Sequence, residues 1–218
     1  TNSGDVTSSS SNYSYGGGIA GYSTAEISNC TNNGTISSCW GGGIAGYSTA
    51  EINNCTNSGD VTSSSSNYSY GGGIAGYSSA NMNNCTNNGT ITSSSYRSES
   101  YAGGIVGKIY CSYNAKEIII SISNVYNTGK VTAKYYKGGI VGYTDSKSSS
   151  YKLTVNNAYN IGKVSYAILG GSGYINGFKI INSSYLIGQS EKGCTGYTDD
   201  EGRVAKSKEE MQTKKFAE

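Results

Sequence analysis

Residues 16–23 read Gly-Gly-Gly-Ile-Ala-Gly-Tyr-Ser, and the same stretch returns at 41–48 and at 71–78. Its first six residues fit Gly-x-Gly-x-x-Gly, the glycine fingerprint of a dinucleotide-binding turn. That fingerprint has to end a strand, open a helix and be followed by an acid about 20 residues on. Here the glycines lead into Tyr-Ser-Thr-Ala-Glu-Ile-Ser-Asn-Cys, a strand pattern that ends at an Asn-Gly corner. In later copies the first glycine is replaced by Ala102 or Lys137, whereas the glycines flanking the isoleucine persist. Close backbone packing at a tight corner, or a positive φ, accounts for the retained glycines without a phosphate.

Working outward, the isoleucine after the glycines anchors a repeat: Ile19, Ile44, Ile74, Ile105, Ile140 and, more loosely, Ile175 within Gly173–Gly177. A second block follows each anchor. It reads Asn-Cys-Thr-Asn-Asn-Gly at 29–34 and 84–89 and Asn-Cys-Thr-Asn-Ser-Gly at 54–59. It drifts through 124–129 and 157–162 to a degenerate Ser-Ser-Tyr-Leu-Ile-Gly at 183–188. An apolar residue stands two before each block (Ile27, Ile52, Met82, Ile122, Val155, Ile181), and Ile36, Val61, Ile91, Val131 or Val164 stands two after its glycine. Each copy thus holds three apolar segments, strand-length and too short for helices, between Gly or Asn corners.

This pattern predicts an all-β fold, a right-handed parallel β-helix (β-solenoid) of about five to six coils with three short strands each. At the ~4.8 Å strand spacing, equivalent residues stack directly above one another. Insertions fall at two corners, after the third strand (Ser37–Trp40, Thr62–Tyr70, Thr92–Ala102) and late after the first (Lys108–Ser121, Thr144–Thr154), where they are expected as loops. The solenoid is expected over residues 1–190. Residues 191–218 are expected as a loop and a short C-terminal capping helix, because Ser207-Lys208-Glu209-Glu210 fits a capping box and Met211 and Phe216 would cover the last coil. Residues 1–23 and 56–78 are identical, and the chain opens inside a coil, as expected of a segment of a longer array whose first coil is truncated.

Composition agrees with a thin, elongated core. Of 218 residues, 32 are glycine and 21 tyrosine, and there is no proline or histidine. The net charge of +2 does not by itself imply a polyanion partner. Residues 1–100 carry five acids and one base, so the bases concentrate beyond residue 100, scattered as on a solvated surface rather than as a nucleic-acid stripe. No apolar run spans a bilayer.

The glycine and asparagine blocks together resemble the GLUG-motif repeats of bacterial surface proteins, most closely at Gly103–Gly107, Gly138–Tyr143, Asn124–Val131 and Asn157–Val164. The tail, with Tyr185-Leu186 and Lys206 to Met211, is similar to the segment that ends such repeats. The resemblance covers residues 1–190. It implies a secreted or surface-anchored bacterial protein, often adhesin-like, in which these repeats stand beside neighbouring domains. Such repeats also occur in immunoglobulin-cleaving metallopeptidases, outside the catalytic part. Host or community glycans or surface proteins are the partners this implies.

Without histidine no Ser-His-Asp or Cys-His arrangement exists, and the few carboxylates of the repeat body form no recurring pair. No catalytic residue, cofactor or metal site is expected, and Asp199-Asp200-Glu201 is read as a solvated run. Cys30, Cys55 and Cys85 share one repeat position, later Val125 and Ala158, and are expected as a reduced, buried thiol ladder. The strand spacing exceeds the ~3.8 Å between Cβ atoms that a disulfide prefers. Cys39, Cys111 and Cys194 lie off it. Asn29, Asn54, Asn84, Asn124 and Asn157 are expected to form an amide ladder. Tyr15, Trp40, Tyr70, Tyr101 and Tyr136 form one aromatic row, and Tyr22, Tyr47, Tyr77, Tyr143 and Phe178 a second, broken by Lys108. Stacked rings stiffen corners; alternatively the first row, with Trp40 as its strongest member, is a platform for sugar faces or peptide. A degenerate polysaccharide-active β-helix is the remaining reading. The Ser/Thr row Thr62–Ser66 is expected in loops of unequal length.

Overall fold

The computed structural model describes residues 1–10, 12–111, 118–146, 151–173, 177–186, 189–194 and 203–206. The chain winds through three parallel sheets of twelve, eleven and five strands, visiting each in turn. In the second coil, Trp40–Gly42 and Ala45–Ser48 belong to the first sheet, Ile52–Asn53 and Thr56–Asn57 to the second, and Val61–Ser65 to the third. The three expected segments are therefore three faces, and a corner within each of the first two breaks the coil into five strand pieces. The bend in the second face is an asparagine. Asn29, Asn54, Asn84, Asn124, Asn157 and Asn182 hold φ between 46° and 58°, the left-handed region that asparagine tolerates through local hydrogen bonding.

Register follows the repeat. Tyr15, Trp40, Tyr70, Tyr101 and Tyr136 align across the first sheet. Ile27, Ile52, Met82, Ile122, Val155 and Ile180 align across the second, and Val6, Ile36, Val61, Ile91 and Val131 across the third. The anchors form an amide-to-carbonyl chain: Ile19 N donates to Ile44 O (3.0 Å), Ile44 to Ile74 (3.0 Å), Ile74 to Ile105 (2.8 Å) and Ile105 to Ile140 (3.0 Å).

The sixth coil departs from expectation. Ile140 N donates to Ile168 O (3.3 Å), so Ile168, not Ile175, is the sixth anchor. Val141 pairs with Leu169, and Ile175 lies outside the described residues. The asparagine block of this coil likewise begins at Asn182, not at Ser183, and the buried apolar residue before it is Ile180 rather than Ile181. Phe178 pairs with Leu153 in the second sheet and so is no member of the second aromatic row.

At both corners, insertions expected as loops instead lengthen strands. Val61–Ser65 and Ile91–Ser95 pair in register over their whole length, so Thr62 to Ser65 of the Ser/Thr row lie in the third sheet and only Ser66 falls outside it. Val106–Cys111 with Val141–Ser146, and Ile118–Asn127 with Tyr151–Asn160, continue the first two sheets outward. They add Ile109, Cys111, Ile120, Tyr151 and Leu153 to the core, each at most 2% exposed. Parallel pairing also includes Ser190–Cys194 on Val164–Leu169 and Arg203–Lys206 on Ser183–Leu186. The expected helix from Ser207 to Phe216 lies outside the described residues, and among the described residues no helix is long and apolar enough to cross a membrane.

The apolar core is split in two. A main strip runs from Ile27 and Ile44 through Ile74, Ile105 and Ile140 to Ile180, and a smaller one contains Ile36, Val61, Ile91, Val131 and Val164.

Candidate functional site: a buried amide ladder and an aromatic ribbon

Asn32, Asn57, Asn87, Asn127 and Asn160, the second asparagine of each block, are fully buried. Each Nδ2 donates twice. One bond goes to the carbonyl of its own corner glycine: Gly34 (2.7 Å), Gly59 (2.7 Å), Gly89 (2.8 Å), Gly129 (2.9 Å) and Gly162 (3.0 Å). The other goes to the Oδ1 of the next coil, at 2.8 Å from Asn32 through to Asn160, and Asn2 joins at 2.7 Å. The last amide, Asn160 Nδ2, donates to Ser190 Oγ at 3.2 Å. A buried carboxamide is costly unless both N–H groups are used, and here both are.

This ladder dictates the glycine beside the anchor. A Cβ on Gly43 would lie 2.2 Å from the Asn57 side chain and 2.2 Å from Gly73 O. Gly18, Gly73, Gly104 and Gly139 are in the same position against Asn32, Asn87, Asn127 and Asn160. In the sixth coil the amide column has ended, since Tyr185 pairs with Asn160, and the equivalent residue is Ala167, fully buried. The glycine goes when the asparagine goes.

The asparagines expected to form the ladder, Asn29, Asn54, Asn84, Asn124 and Asn157, are the left-handed corners, the first four exposed and Asn157 half-buried. They bond along the axis only in part. Asn84 Nδ2 donates to Asn54 Oδ1 and Asn157 Nδ2 to Asn124 Oδ1, both at 3.0 Å, while Asn124 Nδ2 turns to Asn83 Oδ1 at 2.8 Å.

Cys30, Cys55 and Cys85 are free thiols in one column, with Cys30 half-buried and the others buried. Cys55 Sγ donates to Asn53 O (3.2 Å) and Cys85 Sγ to Asn83 O (3.3 Å). Contact with Cys55 and burial hold the Cys85 thiol well above its ordinary range. Off the column, Cys39 is free and buried and donates to Ser10 O at 3.1 Å. Cys111 is also free, and burial pushes it up to about 12. The side chain of Cys194 lies outside the described residues.

The two aromatic rows merge into one ribbon. Trp40 meets Tyr15 and Tyr70 edge-on (centroids 5.1 and 4.6 Å, interplanar 87°) and stacks on Tyr77 of the other row (5.3 Å, 19°). Tyr70, Tyr101 and Tyr136 stack successively at 5.1 and 5.3 Å, and Tyr143 packs against Tyr101 and Tyr136. Tyr70 is 5% and Tyr101 2% exposed, so the ring faces in mid-ribbon are covered by other rings. The open members are Tyr15 (38%) and Tyr22 (52%).

Where the second row is broken, Lys108 Nζ sits 5.0 to 5.9 Å from the centroids of Tyr70, Tyr101, Tyr110 and Tyr143. A cation over ring faces is attracted by their quadrupoles. Burial lowers its pKa from the ordinary lysine value, and Asp145 and then Glu99 partly oppose that shift. Glu99 also accepts from the Tyr101 hydroxyl. Asp145→Asn is expected to lower the Lys108 pKa further, and by more than Glu99→Gln does, in an NMR titration of the lysine side chain.

Among known proteins, the family model described as the GLUG motif matches residues 12–37, which span one coil from the glycine corner to the third face. No curated protein and no solved structure matches the chain. The molecule is thus a β-solenoid that carries the GLUG motif.

Proposed function

We propose that this solenoid is a non-enzymatic stalk or adhesive segment of an extracellular bacterial cell-surface protein, holding neighbouring domains at a fixed distance. The supporting observation is the continuous amide ladder, which ties each coil to the next through side chains in addition to the strand pairing. A parallel stack with both kinds of bond resists bending and fraying better than one with backbone bonds alone. Single-molecule pulling along the coil axis tests this. A stiff response that softens on removal of one ladder asparagine is expected, and turnover of any polysaccharide by the purified chain sinks the reading.

A second reading has one observation in its favour. The half-buried rings of Trp40, Tyr47 and Tyr77 lie together within the ribbon, and such rings can take the apolar face of a neutral sugar. Binding on a glycan array that is lost with Trp40→Ala supports that reading, and an array silent for neutral glycans leaves the stalk.

A further inference from the structure

One corner column changes character along the axis. The residue just before the apolar residue that follows each block (Val6, Ile36, Val61, Ile91, Val131 and Val164) is Asp5, Thr35, Asp60, Thr90, Lys130 and Lys163 in turn. In the early coils the carboxylate is used on backbone: Asp5 Oδ1 accepts from Thr35 N (2.9 Å) and Asp60 Oδ1 from Thr90 N (2.7 Å). In the later coils the same corner carries a lysine, exposed at both Lys130 and Lys163. Successive coils are joined there, Val131 N donating to Lys163 O (3.0 Å) and Val164 N to Gln189 O (2.9 Å).

These residues open onto a groove of about 440 Å³. Lys137, from the strand Tyr136–Gly138 of the neighbouring sheet, also lines it, its ammonium donating to Ala133 O at 3.1 Å. Val131 and Val164 contribute apolar surface, and Thr132, Ser165, Gln189 and Ser190 supply hydroxyl and amide groups. Among the described residues the lining holds no carboxylate and no aromatic ring. Lysines that look scattered in sequence are therefore gathered by the coil stacking.

We propose that this groove binds an acidic polysaccharide, with Lys130, Lys137 and Lys163 on its anionic groups and the hydroxyl and amide side chains on its sugar hydroxyls. The volume is within the range of ligand sites. The mixture of ammonium, hydroxyl and apolar groups suits a charged sugar chain. A single-stranded nucleic acid would need rings for its bases to stack on. The proposal goes beyond the stalk reading and stands independently of it.

Binding of the purified chain to polygalacturonate (carboxylate) and heparin (sulfate) tests it, with dextran as neutral control and oligothymidylate as phosphate control. Salt-sensitive retention of either acidic glycan, weakened about tenfold by Lys130→Gln with Lys163→Gln, is the expected result. Lys179→Gln, on an exposed lysine of the second sheet, leaves binding unchanged. Both lysines of the double variant are exposed, and matching circular dichroism spectra confirm its fold. Retention of neither acidic glycan, equal retention of dextran, oligothymidylate bound as tightly, or a double variant that binds like the parent overturns the proposal.

Discussion

Asn87→Asp is expected to destabilise the solenoid by about 4 kcal/mol, although it exchanges one group for another of the same shape. Asn87 Nδ2 donates to Gly89 O and to Asn127 Oδ1, while its Oδ1 accepts from Asn57 Nδ2. An aspartate keeps the acceptor and loses both donors. Gly89 O and Asn127 Oδ1 then face a carboxylate oxygen, and a charge is placed where exposure is zero. Burial raises the pKa of such a carboxyl, so its cost is smallest below the ordinary aspartate value of about 3.9 and grows as pH rises above it. Asn88→Asp, one residue on and exposed, is expected to change stability by no more than about 0.5 kcal/mol. Urea unfolding of both variants across pH checks the pair, and equal midpoints for the two would remove the ladder from the account.

Alkali is expected to unfold the protein steeply. Burial raises the phenols of Tyr70, Tyr77, Tyr101 and Tyr151 above the ordinary value of 10.0, and that of Tyr143 up to about 12. Tyr47, Tyr126 and Tyr136 are shifted the same way. A raised folded-state pKa gives stability that is fully present below the unfolded value and lost as pH climbs toward the folded one. Each phenol that keeps its proton only when folded costs about 1.4 kcal/mol per pH unit in that window. Three such phenols cost about 4 kcal/mol per unit. Lys108, shifted downward, works in the opposite direction, but it is one group against many. Between pH 10 and 12, ionisation of these buried phenols and loss of β-sheet signal should therefore rise together in one cooperative step. Gradual ionisation with the fold intact contradicts an interlocked ribbon.

The anchors and the three faces were legible because glycine, isoleucine and asparagine recur with fixed neighbours. The ladder asparagine was harder to identify. Asn29 and Asn32 stand in one six-residue block, and the left-handed turn at Asn29 resets the in-and-out alternation of the strand. Side-chain direction cannot be counted through such a turn, so the second asparagine's inward aim is hidden. Its signal was the glycine before each anchor, where an added Cβ would meet both the carbonyl of the next coil and the asparagine side chain opposite. The sixth coil was misplaced because Gly173–Gly177 imitates the corner, while the true one, Ala167-Ile168-Leu169-Gly170, has already lost that glycine together with its asparagine. The lysine groove was invisible because its members come from separate coils and two sheets. Lys108 looked like an interruption, and its cage is made by tyrosines on neighbouring strands.

Side-chain amide hydrogen exchange, followed residue by residue with NMR, tests the stacked-column picture most directly. The account predicts that the carboxamides of Asn57, Asn87 and Asn127 exchange only with global unfolding, while those of Asn33 and Asn88 exchange at once. Equally fast exchange at all five would contradict it.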